Sequence, residues 1–238
     1  MSLINIFKGK KTYTGSTIKL YKVVTPETCQ VPVVDLTKFC LEFVTECTNN
    51  RLNQMYKNYN SKPLSVNKFY EFANDENNVV VSLQAYSSKR NENGKGEQSL
   101  VFYGNNILNK TEKYKKSIAY KTETDVIDVT IFLNNFFIEK GTIIDFVSAI
   151  CRIIDFDYGY VFYLEKRQCV ITEGKSGLFS KIERTPFDYN RILTDTKNGY
   201  IPKIYPYNIL NLNQIKSLNI ENPISINRNL YLKVENDE

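Results

Sequence analysis

The stretch DYGYVFYLEK (residues 157–166) decides how the rest of the chain is interpreted. Successive side chains of a strand point to opposite faces of a sheet. One face of this stretch therefore receives large apolar side chains, and the other a mixed set. The first face carries Tyr158, Tyr160, Phe162 and Leu164; the second carries Gly159, Val161, Tyr163 and Glu165. We predict a strand with one predominantly aromatic face.

The segment before this strand has helical periodicity. In TIIDFVSAICRIIDF (142–156), apolar residues recur at the spacing that places them on one face of a helix. Thr142, with Asp145 three residues later, resembles a capping box and predicts the start of the helix. The predicted buried stripe consists of Ile143, Val147, Ile150, Cys151 and Ile154.

The first third of the chain predicts one strand and two helices. TIKLYKVV (17–24) favours a strand, and Asp35 is placed to cap the helix that follows. A second, shorter helix is predicted from a Ser65 cap through Phe72. The stripe of the first helix consists of Leu36, Phe39, Cys40, Phe43, Val44 and Cys47, and Leu52, Met55 and Tyr59 are expected to prolong it.

The remainder is rich in predicted strands. Segments 78–87 and 97–104 fit a hairpin with a long polar loop. Residues 126–133 mix Asp128 and Thr130 with valine and isoleucine, as expected for a strand with one wet face. Short helices are predicted after TPFD (185–188) and over 211–218, and a last strand is predicted over 229–235.

These elements predict one α+β domain covering residues 1–238. A single domain is expected because no linker or repeat divides the chain. Within it, residues 1–75 form a part with a strand and helices, and residues 76–238 form a sheet-rich part. We expect a mostly antiparallel sheet with helices packed on one face.

Composition restricts the chemistry. The 238 residues include no histidine, which removes the commonest general base and metal ligand and excludes histidine-dependent hydrolases and nucleases. The five cysteines form no C-x-x-C pair and lack a histidine that could activate them, so we read them as free thiols in a reducing compartment. We expect no catalytic residue, no cofactor and no metal site. Acids at 123, 125, 128, 155 and 157 are read as solvated, and GKS (174–176) lacks the first glycine of a phosphate loop.

Net charge and hydropathy bear on location and partners. The chain carries a formal charge of +5, with lysines concentrated in 8–11, 87–96 and 109–116. Binding to nucleic acid is the alternative function that these runs leave open, although acids interrupt two of them. A carboxylate-based enzyme is a third possibility. No signal peptide or membrane helix is predicted, so we expect a cytoplasmic protein with no membrane partner.

GYIPKIYPYNIL (199–210) has more aromatic surface than a core element needs. Its prolines force an extended backbone at Ile201 and Tyr205. Two readings of its tyrosines, together with those of 158–163, stay open: residues at the edge of the core whose hydroxyls reach water, or a partner-binding surface, since tyrosine is enriched at interface hot spots. Ile204 and Ile209 are expected to seal the sheet edge. The candidate contact residues are Tyr158, Tyr160, Tyr200, Lys203, Tyr205 and Tyr207.

The pattern YGYVFY, TEGKSG and then GYIPKIYPYNIL followed by a short polar helix resembles bacterial immunity proteins of polymorphic-toxin and type VI secretion systems. It looks most similar to the immunity protein 52 family, over roughly residues 78–220. This resemblance implies a non-enzymatic protein that neutralises a cognate toxin or secreted effector by binding it.

Overall fold

The computed structural model describes residues 13–24, 31–57, 62–75, 78, 82–90, 96–104, 125–165, 195, 198–201 and 204–235. Strands and helices alternate irregularly along this part of the chain. The strands are β1 (Tyr13–Val24), β2 (Leu52–Lys57), β3 (Ser82–Arg90), β4 (Gly96–Gly104), β5 (Asp125–Asn134), β6 (Tyr158–Glu165), β7 (Tyr207–Asn211), β8 (Ile224–Ser225) and β9 (Leu230–Val234). The described helices are α1 (Val33–Thr48), α2 (Val66–Asn74), α3 (Lys140–Ile150) and α4 (Leu212–Ser217).

The strands form one nine-stranded sheet in the order β2-β3-β4-β5-β1-β6-β7-β9-β8. Every neighbouring pair is antiparallel. β1 lies in the middle, where Ile18 pairs with Ile131 of β5 on one side and with Val161 of β6 on the other. The α+β class and the antiparallel sheet are therefore confirmed.

The two faces of the sheet bury different side chains. The first face carries aliphatic residues such as Ile18, Ile131 and Val161, which form one core with α1, α2 and α3. The second face carries the aromatic residues of β6, which pack with Leu210 and with Ile215 of α4. The three longer described helices thus share one face as expected, whereas α4 lies on the other.

The second face corrects the prediction that β5 has a wet side. Asp128 is 3% exposed and Thr130 is 2% exposed, so both are buried. The alternation of polar and apolar residues in β5 is real. One face of β5 is aliphatic and the other is polar and aromatic, and both are buried rather than one of them facing solvent.

Helix starts follow the sequence signals only in part. Ser65 caps α2 as predicted, accepting a hydrogen bond from the Lys68 backbone N–H at 3.4 Å. α1 begins at Val33 after Pro32, which leaves Asp35 in the first turn, where a negative charge still favours the positive end of the helix. α3 begins at Lys140, before the predicted Thr142 cap.

β2 is the clearest wrong prediction, since Leu52 and Met55 were expected to prolong α1. α1 ends at Asn49, whose backbone adopts the left-handed conformation (φ 51°), and an extended strand follows. A register shift between Leu52 and Gln54 in the pairing with β3 adds one residue to the strand. This bulge turns both Leu52 and Met55 toward the core although they are three residues apart, so a strand imitates a helical spacing.

Candidate partner-binding surface

α4 starts directly at the end of β7, and Asn211 makes that junction rigid. The Gln214 backbone N–H donates to Asn211 Oδ1 at 3.0 Å, and the Asn211 backbone N–H donates to Gln214 Oε1 at 3.0 Å. These reciprocal bonds form a capping box, which satisfies backbone groups that a helix start otherwise leaves open. α4 has only six residues, so its position depends on such contacts more than on intrinsic helix stability.

The same glutamine holds the segment that carries Tyr200. Gln214 is fully buried, and its Nε2 donates to the Tyr200 carbonyl at 2.8 Å. Gly199 has a φ of +75°, and a Cβ at this position would lie 2.3 Å from Ser217 Oγ. Only glycine allows both the conformation and the close approach. The chain before Tyr200 is therefore packed directly against α4.

Tyr205 is fixed at both its backbone and its ring. Its N–H donates to Asn208 Oδ1 at 3.1 Å, and Asn208 Nδ2 donates to its carbonyl at 2.6 Å. Its ring stacks on Tyr160 with 3.8 Å between centroids and 1° between planes. The bend before β7 therefore seals the aromatic face of the sheet.

Near these buried anchors, several large apolar side chains are exposed. Six large hydrophobic side chains are exposed in the described part of the chain, and four of them lie between residues 200 and 218. Their exposed fractions run from 36% at Leu218 to 63% at Ile204. We call the four, which are Tyr200, Ile204, Leu212 and Leu218, the α4 surface.

The structure divides the six predicted contact residues. Tyr158, Tyr160 and Tyr205 are at most 7% exposed, so a partner could reach them only by displacing the residues that cover them. Their prediction as contact residues is corrected: they build the aromatic core beneath the surface. Tyr200 is 57% exposed, and its role stays a prediction. Tyr207 is half-buried against the aliphatic core, and Lys203 lies outside the described residues.

Three members of the α4 surface were not among the predicted contact residues. Ile204 and Ile209 were expected to seal the sheet edge, but β7 lies inside the sheet between β6 and β9; Ile209 is buried in that strand, and Ile204 is 63% exposed. Leu212 and Leu218 are spaced by three residues from the buried Ile215, so all three resemble one core stripe. The capping-box pattern is the available signal: it fixes the start of α4 and so places Leu212 in its first turn.

Beside the aromatic residues of β6, on the same face of the sheet, lies a buried polar cluster on β1 and β5. Thr130 Oγ1 donates to Asp128 Oδ1 at 2.9 Å, and Lys19 is 1% exposed in the facing strand. Burial raises the pKa of Asp128, while Lys19 and Thr130 act in the opposite direction. The pKa of Tyr21 is raised well above its ordinary value, first by burial and then by Asp128. Closed off from solvent, this cluster has a structural role.

The described cysteines are free thiols with weak reactivity. Burial raises the pKa of Cys40, Cys47 and Cys151, so each is protonated at neutral pH. Cys29 and Cys169 lie outside the described residues.

Within the described ranges, no group of three or more cysteines and carboxylates is arranged to hold a metal ion. No helix in the same ranges is long and apolar enough to cross a membrane.

Other sequence features fall largely outside the described residues. They include the lysine runs at 8–11 and 109–116, the GKS motif and the helix predicted after residues 185–188. In the remaining lysine run (87–96), the backbone of residues 87–90 belongs to β3. The nucleic-acid alternative therefore gains no structural observation.

Comparison with solved structures finds a distant match. A T6SS protein of Pseudomonas aeruginosa is similar in structure, with a TM-score of 0.48 and 11% sequence identity, over 96% of this chain and 68% of that one. A likeness at this level is too remote to say what the chain does. No protein-family model matches, and no curated protein is similar to it. The resemblance to the immunity protein 52 family stays a prediction.

Proposed function

We propose that this chain is a non-enzymatic immunity protein that binds and neutralises one bacterial toxin or secreted effector, and that the α4 surface is its contact area. The exposed apolar group Tyr200, Ile204, Leu212 and Leu218 carries the proposal. Large apolar side chains exposed together on a folded domain commonly mark a protein interaction site. The resemblance of 199–210 to the immunity protein 52 family supports the same reading.

The support around this surface also favours an inhibitor. Gln214 bonds to the Tyr200 carbonyl, and the capping box fixes the start of α4. A preorganised surface loses less conformational entropy on binding, which is the condition for tight inhibition through an interface of standard size. Such an interface buries about 1,600 Å² in total.

Chemistry within the described residues supports a binding role rather than catalysis. The ionisable side chains Lys19, Asp128 and Tyr21 are buried, and the cysteine thiols have raised pKa values. Tyrosine, by contrast, supplies a rigid contact area with a polar end, which suits a protein interface.

The test is binding and protection against the effector encoded beside this gene. The purified pair is expected to form a one-to-one complex with nanomolar affinity in calorimetry, and co-expression is expected to rescue growth. The double variant Tyr200→Ala/Leu212→Ala is expected to weaken affinity by about 30-fold or more, as loss of a hot spot does. Phe137→Ala is the matched control, since Phe137 is 50% exposed but lies outside the α4 surface.

Two results would contradict the proposal. Equal losses in the double variant and in Phe137→Ala would remove the α4 surface as the contact area. Failure of the wild-type chain to bind or protect, together with binding to DNA or RNA that weakens steeply with added salt, would favour the nucleic-acid alternative.

A further inference from the structure

A polar cleft borders the α4 surface where β1, the 155–157 turn and the start of α4 meet. Its volume is about 300 Å³, at the small end of the range for ligand pockets. Leu212 and Asn213 line it, and Leu212 also belongs to the α4 surface. Asn213 in turn packs against Gly199, next to Tyr200. A partner lying on the α4 surface would therefore cover this cleft.

One wall of the cleft is fixed by Asp157. Its Oδ2 accepts a hydrogen bond from the Val23 backbone N–H at 2.8 Å and lies 3.3 Å from Lys22 Nζ. Its carbonyl accepts a hydrogen bond from Asn211 Nδ2 at 3.0 Å, which joins the turn to the residue that caps α4. The carboxylate is therefore held by β1, and the backbone of the same residue is held by Asn211.

The cleft keeps one uncompensated negative charge. Asp155 and Asp157 supply two carboxylates, and Lys22 supplies one ammonium group. Lys22 pairs with Asp157, whereas Asp155 is exposed and makes no ion pair within the described residues. The chain as a whole carries +5, so this is a local acidic point on a basic protein. Its complement is a cationic group.

We propose that the cleft receives an arginine side chain of the protein partner, a proposal that rests on the proposed function. A guanidinium group is planar and presents paired donors, so it can bond both oxygens of the exposed Asp155 carboxylate at once. The 42% exposed Leu212 offers an apolar edge for the arginine methylene groups. Leu212 thus connects the apolar contact and the charged contact in one interface.

The first test does not require the toxin. The full-length protein is titrated with N-acetyl-arginine amide and, separately, with N-acetyl-lysine amide, while backbone amide resonances are followed by NMR. The arginine compound is expected to shift the resonances of 155–157 and 211–213 and to bind several-fold more tightly than the lysine compound. Asp155→Asn is expected to abolish that preference. Asp145→Asn, an exposed acid on α3, is the matched control.

The second test uses the toxin complex. Asp155→Asn is expected to weaken toxin affinity by about tenfold or more, the loss typical of a hydrogen bond to a charged group. Asp145→Asn is expected to leave that affinity within about twofold, as is usual for surface substitutions away from a contact. Thermal denaturation of both variants checks that each remains folded.

The two proposals fail separately. If Tyr200→Ala/Leu212→Ala loses the toxin while Asp155→Asn retains wild-type affinity, the arginine inference is overturned and the proposed function stands. Equal shifts with the arginine and lysine compounds would overturn the preference for a guanidinium group. If the wild-type chain binds no toxin, the proposed function fails, and the inference about a partner fails with it.

Discussion

Tyr200 and Tyr205 lie five residues apart in one segment, yet alanine is expected to have opposite effects at the two positions. Tyr205 is 7% exposed, and its ring lies flat on Tyr160 at 3.8 Å. Tyr200 is 57% exposed and is held mainly through its backbone. Tyr205→Ala therefore tests packing, while Tyr200→Ala tests contact with a partner.

The cost at Tyr205 follows from the area of its ring. An aromatic side chain buries about 150–250 Å², which at about 25 cal/mol per Å² corresponds to about 4–6 kcal/mol as an upper limit. Measured losses for buried aromatic residues replaced by alanine are about 3–5 kcal/mol. We expect a loss of about 4 kcal/mol in the free energy of unfolding, which lowers the melting temperature of a chain this size by about 8–16 °C.

Urea denaturation followed by circular dichroism measures this loss. Tyr205→Phe keeps the stacked ring and is expected to stay within about 1.5 kcal/mol of the wild type, as volume-conserving changes do. Tyr200→Ala is expected to have the same free energy of unfolding as the wild type and to bind the toxin less tightly. A Tyr205→Ala protein with unchanged stability and weaker toxin binding would refute this reasoning, because it would make Tyr205 a contact residue.

Three other predictions concern the support of the surface and two ionisable groups. Gln214→Ala removes the capping box and the bond to Tyr200, so we expect a loss of about 1–2 kcal/mol in urea denaturation and weaker toxin binding; unchanged values of both would contradict the role of Gln214. The raised pKa of Asp128 gives a contribution to stability that is fully present below its ordinary value of 3.8 and is lost as pH rises through the raised folded value. The free energy of unfolding of the wild type, measured relative to that of Asp128→Asn, is therefore expected to fall as pH rises from 3.8. A difference that does not change with pH would refute this contribution of Asp128. Burial raises the pKa of Cys47 to about 11, so its alkylation at pH 8, followed by peptide mass spectrometry, is expected to be far slower than that of free cysteine.

The sequence predicts correctly the elements in which each face of the helix or strand contacts a single kind of surroundings along its whole length. β6 was predicted correctly because its alternation separates the aromatic core from the aliphatic core over eight residues. α1 was predicted because its stripe meets one face of the sheet. Ser65 was predicted because a cap is a local interaction between a side chain and the backbone three residues ahead.

The failures have non-local causes. The strand conformation of β2 depends on pairing with β3, more than 25 residues later, and its bulge produces an apolar spacing that also fits a helix. The burial of Asp128 depends on what covers the second face, which alternation alone does not reveal. For the proposed contact residues, tyrosine content indicated only the segment that carries both Tyr200 and Tyr205. Burial then separated Tyr200 from Tyr205, and no composition argument could have done so.

The central place of β1 has a consequence for how the chain folds. Its residues pair with β5, more than 100 positions later, and with β6, 137 to 152 positions later. Contacts so distant in sequence carry a large loop-closure cost and slow the folding of sheet proteins. During synthesis, β1 can pair on both sides only after β6, which ends at Glu165, has left the ribosome. β1 also joins the half of the sheet that carries α1 and α2 to the half that carries α4, so the described sheet can be completed only after β6 and the strands that follow it have been synthesised.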